Sequence, residues 1–344
     1  MKTKNVVAIC IILALALAGL GMPKNSYANL TRIKFPVNGG ELPSNVNYSI
    51  DPSVTFSDEK IKPGSPESDD YVFPFSNLSA SDEKITKLKQ LFNLESSQKR
   101  NSRDATIYEN EAYFLRINDD GTYVYHNKKR DDDTSMLLSD EISIKIAKDF
   151  LTKNNLFPSG FFENGVAHET VTSALNSKNS KVLRKEVYFN RNINGKPVYG
   201  ISRIIVAINQ TGDIDSVYSV YKDYHKEEAV KIVTFDQALL NLKNHKGLIN
   251  MSETTKNVII KKVELAYWED SSPNSKQTHI QPIYRFIGES EDIQGEKGVF
   301  EGIVAAVPDN LTTPEPEPEI KSTPKVPNIP PLRINPGPKP ENLR

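Results

Sequence analysis

The sequence predicts an α+β fold made of repeated units, in which one helix packs on a three-stranded antiparallel meander. Three segments repeat apolar residues at steps of three and four, and each begins with a helix-capping residue. Each is followed by runs that alternate apolar and polar residues and are joined by short turns. Changes in composition confine both patterns to residues 80–307.

Residues 1–28 have the pattern of a secretion signal. Two lysines precede an apolar run over residues 6–20, and Ser26-Tyr27-Ala28 supplies the small residues that precede a cleavage site. We expect cleavage before Asn29; the alternative is that the run is kept as a membrane anchor. Cleavage removes Cys10, the only cysteine, together with three lysines, so the net charge falls from −1 to −4. The mature chain is therefore expected outside the cytoplasm, without thiolate chemistry and with only transient membrane contact through its signal.

Two flanking segments are predicted to contribute little to the core. Residues 29–79 hold six prolines and show little periodicity, so we expect a weakly structured segment with short strands at 31–35 and 46–50. Residues 308–344 hold 11 of the 22 prolines, which exclude helix and sheet ladders. This proline-rich tail is predicted to be disordered, as a spacer, a docking segment or a solvated extension without a partner.

Three helices are predicted to start at the capping residues Ser81, Ser139 and Thr234. Acidic residues follow both serines and favour the positive end of the helix dipole, while Gln237 has capping-box spacing from Thr234. The apolar residues behind each cap form one stripe, so each helix must pack on another element. These starts divide the chain into a short leading unit and two full units, at residues 80–138, 139–233 and 234–307.

Antiparallel strands are predicted after each helix. A hairpin over 112–126 follows the first helix. The second helix is followed by strands at 187–193, 198–209 and 214–221, and the third by strands at 258–268, 279–287 and 299–307. Alternation of apolar and polar residues gives each meander one solvent-exposed and one buried face, so each helix is expected to cover the buried face of its own meander.

The turns of the second unit resemble those of a known domain type. Between Val187 and Val220 the glycines and proline follow a hairpin, strand and turn order, and the structural turn positions are Gly195, Pro197, Gly200 and Gly212. This pattern resembles PepSY domains and the propeptide (FTP) domains of fungalysin and thermolysin, and residues 263–286 are more weakly similar to extracytoplasmic regulators of the YycI/YycH type. The resemblance covers residues 139–307. It implies a protein that modulates or inhibits a partner, such as a secreted peptidase or the outer domain of a sensor kinase.

No pattern for catalysis, cofactor or metal binding stands out. His168-Glu169 begins like a zinc-protease motif, but Thr172 stands where the second histidine is required. The run 131–133 of three aspartates lacks the spaced ligands and glycine of a calcium loop. Nucleotide-binding loops, a serine nucleophile elbow and basic stripes for nucleic acid are also missing from the sequence. We therefore expect no enzymatic activity, no cofactor and no nucleic-acid partner.

Aromatic residues on the predicted strands are the better clue to function. Tyr and Trp combine apolar area with a hydrogen-bonding tip, which suits either a core or a protein-binding surface. The candidates for such a surface are Tyr199, Tyr218, Tyr221, Trp268 and Tyr284. The expected function is a bacterial envelope protein that binds a protein partner. The alternatives are a cell-wall hydrolase with unrecognised carboxylates and a structural component of an envelope or spore.

Overall fold

The computed structural model describes residues 30–31, 43, 45–76, 80–129, 138–173, 176–224, 227–270, 277–308 and 312–313. The predicted signal, the aspartate run at 131–133 and nearly all of the proline-rich tail lie outside these ranges. The helices within them are α1 (Asp82–Leu91), α2 (Asp140–Lys153) and α3 (Phe235–Lys243), with one 3₁₀ turn at Glu59–Ile61. None of these described helices is long and apolar enough to cross a membrane.

The helices begin at the predicted caps. Each capping hydroxyl accepts a hydrogen bond from a backbone N–H three residues later, as follows: Ser81 from Lys84 at 3.2 Å, Ser139 from Ile142 at 3.3 Å and Thr234 from Gln237 at 3.3 Å. The three predicted starts are confirmed. Each helix is followed by a non-glycine residue in the left-handed conformation, namely Asn93, Asn155 and His245, which the capping pattern does not predict.

Seventeen strands lie in the described residues: β1 (Leu30–Thr31), β2 (Asn47–Phe56), β3 (Ser68–Pro74), β4 (Gln98–Asn101), β5 (Ala105–Glu109), β6 (Tyr113–Asn118), β7 (Tyr123–Asn127), β8 (Phe161–Ser173), β9 (Asn176–Ile193), β10 (Lys196–Ile208), β11 (Ile214–Val220), β12 (Glu228–Ile232), β13 (Gly247–Asn250), β14 (Thr255–Glu269), β15 (His279–Asp292), β16 (Lys297–Ala305) and β17 (Thr312–Thr313). Strands β1 and β17 form a short parallel pair, and the other fifteen form one mixed sheet. The predicted strands after each helix are present within one to three residues of their expected ends at most positions.

Strands β4 to β11 form an antiparallel region with the order β4-β5-β6-β7-β11-β10-β9-β8. Helices α1 and α2 pack on one face of this region. Beneath α1, Leu88 packs in a core with Leu115 and Tyr125. Beneath α2, Leu151 packs in a second core with Phe189 and others. Every second residue of these strands faces inward, and these residues form the apolar surface on which the apolar stripe of each helix packs.

The remaining strands form a second region under α3. Its order is β13-β16-β15-β14-β2, and β3 joins it by pairing with both β15 and β12. The largest core among the described residues lies between this region and α3, where Phe235 and Leu242 pack with Tyr284 and Phe300. The two regions meet at β10, whose first residues pair in parallel with the end of β14.

The predicted fold class of separate helix-on-meander units is wrong. The described chain is predominantly β, and its strands belong to one 15-stranded mixed sheet with three helices. The physical reason is that each predicted meander has unpaired edge strands, and these edges pair with strands of the neighbouring units. Strand β7 of the leading unit pairs with β11, an edge of the next. The first residues of the central strand β10 extend beyond its pairing with β11, and there β14, an edge of the third unit, pairs with them.

Several strands were not predicted from the sequence: β3, β4, β5, β8, β12, β13 and β17. Residues 29–79 were expected to be weakly structured. The short strand predicted at 46–50 is the first half of β2, which continues to Phe56, whereas β3 was not predicted; these two strands pair with β14, β15 and β12. Strand β8 passes Asn164-Gly165 through a bulge between Glu163 and Val166. The division of the chain into units at 139 and 234 stays a prediction.

Candidate protein-binding face

A row of directly paired residues crosses the antiparallel region on the face opposite α1 and α2. We call this row, together with Phe114 and His126 beside it, the open face. From β9 to β4 the row reads Tyr188, Ile205, Tyr218, Val124, Arg116, Ile107 and Arg100. Direct partners in an antiparallel ladder share one face, so these seven side chains lie side by side. Six strand spacings of about 4.8 Å make the row roughly 29 Å wide.

The strand pattern explains why this face differs from the one under the helices. The residues that alternate with the row are fully buried in the cores, as Val187, Val206 and Val217 show. The apolar members of the row belong to none of the cores, and each is half-buried. No described helix packs on them. The result is a wide, partly exposed apolar surface on a rigid sheet.

Polar tips on the open face are held by neighbours on the same face. The Tyr218 hydroxyl and His126 Nε2 are 3.2 Å apart, and their rings pack edge to face with centroids at 5.1 Å. The Tyr188 hydroxyl donates to Glu186 Oε2 at 2.8 Å. Partial burial and this carboxylate raise the pKa of Tyr188, so the phenol remains a neutral donor. The face therefore presents aromatic rings with fixed orientation.

The five aromatic residues predicted to form a binding surface do not come together. Tyr218 lies on the open face, whereas Tyr221 packs in the core under α2. The prediction for Tyr284 is wrong: this side chain is fully buried in the core under α3, and its hydroxyl donates to the carbonyl of Val233 at 2.7 Å. Tyr199 and Trp268 are direct partners in the ladder between β10 and β14. They form a second, separate aromatic pair.

Tyr199, the β10 member of this pair, contacts an ion-pair network of the second region. Arg285 stacks on the Tyr199 ring, with 4.4 Å between Cζ and the ring centroid, and donates to its hydroxyl at 2.8 Å. Arg285 also binds Glu264 at 2.8 Å and Glu301 at 2.6 Å. Burial raises the pKa of Tyr199 to about 12. Because Arg285 and Glu264 satisfy the Tyr199 hydroxyl, Tyr199 is less suited than the open face to an outside partner.

The predicted turn positions fall into two kinds. Asn194 and Gly195 both have positive φ, at 51° and 77°, as a tight hairpin turn between β9 and β10 requires, and Pro197 lies just inside β10. Gly212 (φ 90°) closes the turn before β11. Gly200 lies within β10 rather than in a turn. Its φ is 96°, and a Cβ there would overlap the carbonyl oxygen of Glu269 in β14 and lie 3.0 Å from the carbonyl carbon.

A buried charge cluster lies at this joint between the two regions. Glu269 is fully buried; its Oε1 accepts from the backbone N–H of Lys222 at 2.7 Å, and its Oε2 lies 3.3 Å from Arg191 Nη1. The same Nη1 donates to the Lys222 carbonyl at 2.8 Å. Burial raises the pKa of Glu269, and Arg191 opposes that rise. Since these residues are 31 to 78 positions apart, no local pattern in the sequence marks the cluster.

The buried carboxylates Glu264 and Glu269 do not have the character of an acid catalyst. An acid catalyst needs an accessible carboxyl with a raised pKa. Glu269 has a raised pKa but no exposed surface. Glu264 keeps a small exposed surface. Burial raises its pKa, but hydrogen bonds from Lys262, Arg285 and Tyr199 outweigh burial, so the net shift of its pKa is downward. His168 pairs with Asp140 at 3.1 Å, on the surface near the start of α2.

Comparisons with known proteins give distant likenesses. No protein-family model and no curated protein matches the chain. Among solved structures, an uncharacterized protein from Eubacterium rectale ATCC 33656 is 14% identical, over 76% of this chain and 90% of that chain, with a TM-score of 0.39. The Bacillus megaterium YpeB C-terminal domain is 12% identical, over 65% of this chain and 98% of that chain, with a TM-score of 0.32. Likenesses at these TM-scores carry no argument about function.

Proposed function

We propose that this protein is an exported, non-enzymatic binding protein that holds a protein partner on the open face. The observation that carries the proposal is the row from Tyr188 to Val124, whose apolar side chains remain half-buried while their strand neighbours are fully buried. Contiguous apolar surface of this kind costs free energy in water and is typical of interaction sites. A partner that covers the row would recover that free energy.

The geometry of the open face suits protein recognition. Tyr188 and Tyr218 offer large rings with hydroxyl tips, the residue type enriched at the energetic centres of interfaces. Their hydroxyls are already positioned by Glu186 and His126, so little side-chain entropy is lost on binding. The antiparallel strands beneath are anchored by the cores under α1 and α2. The face therefore acts as a pre-organised platform.

The proposals for where this protein is located and for what it does to its partner rest on the sequence. The lysines, apolar run and Ser26-Tyr27-Ala28 of residues 1–28 support export with cleavage before Asn29. The resemblance of residues 187–220 to PepSY and propeptide domains supports a modulating or inhibiting role. Suitable partners are a secreted peptidase or the outer domain of a sensor. N-terminal sequencing of the native protein tests the first point: a start at Asn29 supports export, and recovery of residues 1–28 on membranes contradicts cleavage.

The test of binding is one charge placed on the open face. Val124→Asp in the mature chain should abolish co-purification of the envelope protein that the wild type retains in a fixed ratio. The new carboxylate puts a charge that must be desolvated into the apolar part of the row, and it engages Arg116, its direct partner on β6. The matched control is Leu240→Asp, because Leu240 is an apolar residue 48% exposed on the outer side of α3. Both variants should unfold within about 1 kcal/mol of the wild type.

Three outcomes separate the candidate functions. Loss of the same protein with Val124→Asp but not with Leu240→Asp supports the proposal. Equal loss, or no loss, with both variants contradicts it. Release of soluble glycan from cell walls by the purified protein would instead support the hydrolase alternative.

A further inference from the structure

We propose that the partner presents an acidic amphipathic helix to the open face. This inference rests on the proposed function and adds the chemical class of the segment that is bound. The row changes character along its length. Its β9, β10, β11 and β7 positions are aromatic or aliphatic, whereas the β6 and β4 positions are Arg116 and Arg100, on either side of Ile107.

Both arginines are exposed and are without a carboxylate partner in the described part of the chain. Arg116 Nε donates only to the neutral amide of Asn118, at 2.9 Å. Arg100 lies on the edge strand β4, all of whose residues are exposed. By contrast, Arg184, Arg191 and Arg285 elsewhere in the sheet are each paired with acidic residues. Two unpaired guanidinium groups beside an apolar row favour a partner that carries carboxylates.

The spacing of the arginines indicates the form of that partner. They are two strand spacings apart, about 10 Å. Seven residues of α-helix rise about 10.5 Å and return to the same helix face, so acidic residues at i and i+7 would meet Arg116 and Arg100. Apolar residues on the same stripe would then lie on Val124 and Tyr218. A helix in this place would cover the open face as α1 and α2 cover the other face.

The first probe is a pair of labelled 18-residue amphipathic helical peptides with the same leucine stripe, flanked in one by glutamate and in the other by lysine. In anisotropy titrations of the mature protein at low salt, we expect the glutamate peptide to bind at least tenfold more tightly, and salt to reduce the difference. The double variant Arg100→Glu/Arg116→Glu should lose that tenfold preference. The control Lys87→Glu/Lys153→Glu makes the same charge change at exposed sites on α1 and α2 and should keep the preference.

Equal binding of both peptides by the wild type, or an equal effect of both double variants, would overturn the inference. So would tighter binding of inorganic polyphosphate than of the glutamate peptide, because that result indicates an anionic polymer. The native partner separates this inference from the proposed function. If Val124→Asp abolishes its binding and Arg100→Glu/Arg116→Glu leaves it unchanged, the face is the site but the partner helix is not acidic; if neither variant has an effect, both proposals fail.

Discussion

Replacement of Gly200 by alanine should strongly destabilise the joint between the two regions of the sheet. At φ 96° any L-residue is strained, which costs about 1–3 kcal/mol. The new methyl group would also overlap the Glu269 carbonyl oxygen, a backbone atom that cannot rotate away. Strand β14 would have to move, at the expense of ladder hydrogen bonds worth about 1 kcal/mol each. We expect a total loss of roughly 3–5 kcal/mol in the free energy of unfolding.

The chain contains a matched control for the strain alone. Gly195 also has a positive φ, 77°, but a Cβ there meets nothing within 4 Å. Gly195→Ala should therefore cost only about 1 kcal/mol. The difference in the free energy of unfolding between the two variants therefore measures the cost of the steric overlap between β10 and β14.

Urea unfolding followed by circular dichroism measures both variants against the wild type. A larger loss for Gly200→Ala supports the reasoning, and a rise in the width of its transition would show that the two regions then unfold separately. If Gly200→Ala costs no more than Gly195→Ala, the close approach does not hold the regions together.

Three further predictions concern the core, the joint and the tail. Tyr284→Phe removes the hydrogen bond to the buried Val233 carbonyl and should cost about 1–2 kcal/mol by urea unfolding; no loss would contradict the buried role of this hydroxyl. Because burial raises the pKa of Glu269, its contribution to stability is complete below the unfolded pKa near 4.5 and declines as pH rises through the folded pKa. The stability of wild type relative to Glu269→Gln should therefore fall with rising pH from about 4.5, and a difference that is constant with pH would refute this. Deletion of 309–344 removes the two-residue strand β17 but should leave the melting temperature unchanged within about 1 °C, since so short a pair and a proline-rich chain add few buried contacts; a large drop would show that the deleted segment stabilises the fold.

The sequence was informative wherever structure is local. Capping at Ser81, Ser139 and Thr234 depends on residues three positions apart, so the helix starts were predictable. Alternation over Val187–Asn190 likewise predicts which side chains face the core. With the turn at Asn194-Gly195, that alternation already places Tyr188 away from the buried face.

The architecture was not predictable because it depends on pairing between distant strands. The parallel ladder of β10 and β14 joins residues about 69 positions apart, and no turn sets its register. Strand β2 contains Pro52 and a mainly exposed pattern, so its pairing with β14 leaves little trace in hydrophobicity. Predicting the open face requires both the local alternation and the distant pairing. Alternation shows which residues of each strand face away from the core, but only the β7–β11 pairing places Val124 beside Tyr218.

The central claim is that the open face is covered by a partner, and side-chain footprinting tests it most directly. Hydroxyl radicals should oxidise Tyr188, Tyr218 and Phe114 in the isolated mature protein, because these rings are only half-buried. In the complex with the native partner, we expect these three residues to be protected at least fivefold, while Val299, which is 77% exposed on β16, keeps its rate. Unchanged oxidation of all three rings in a saturated complex would contradict the account and place the binding site elsewhere on the protein.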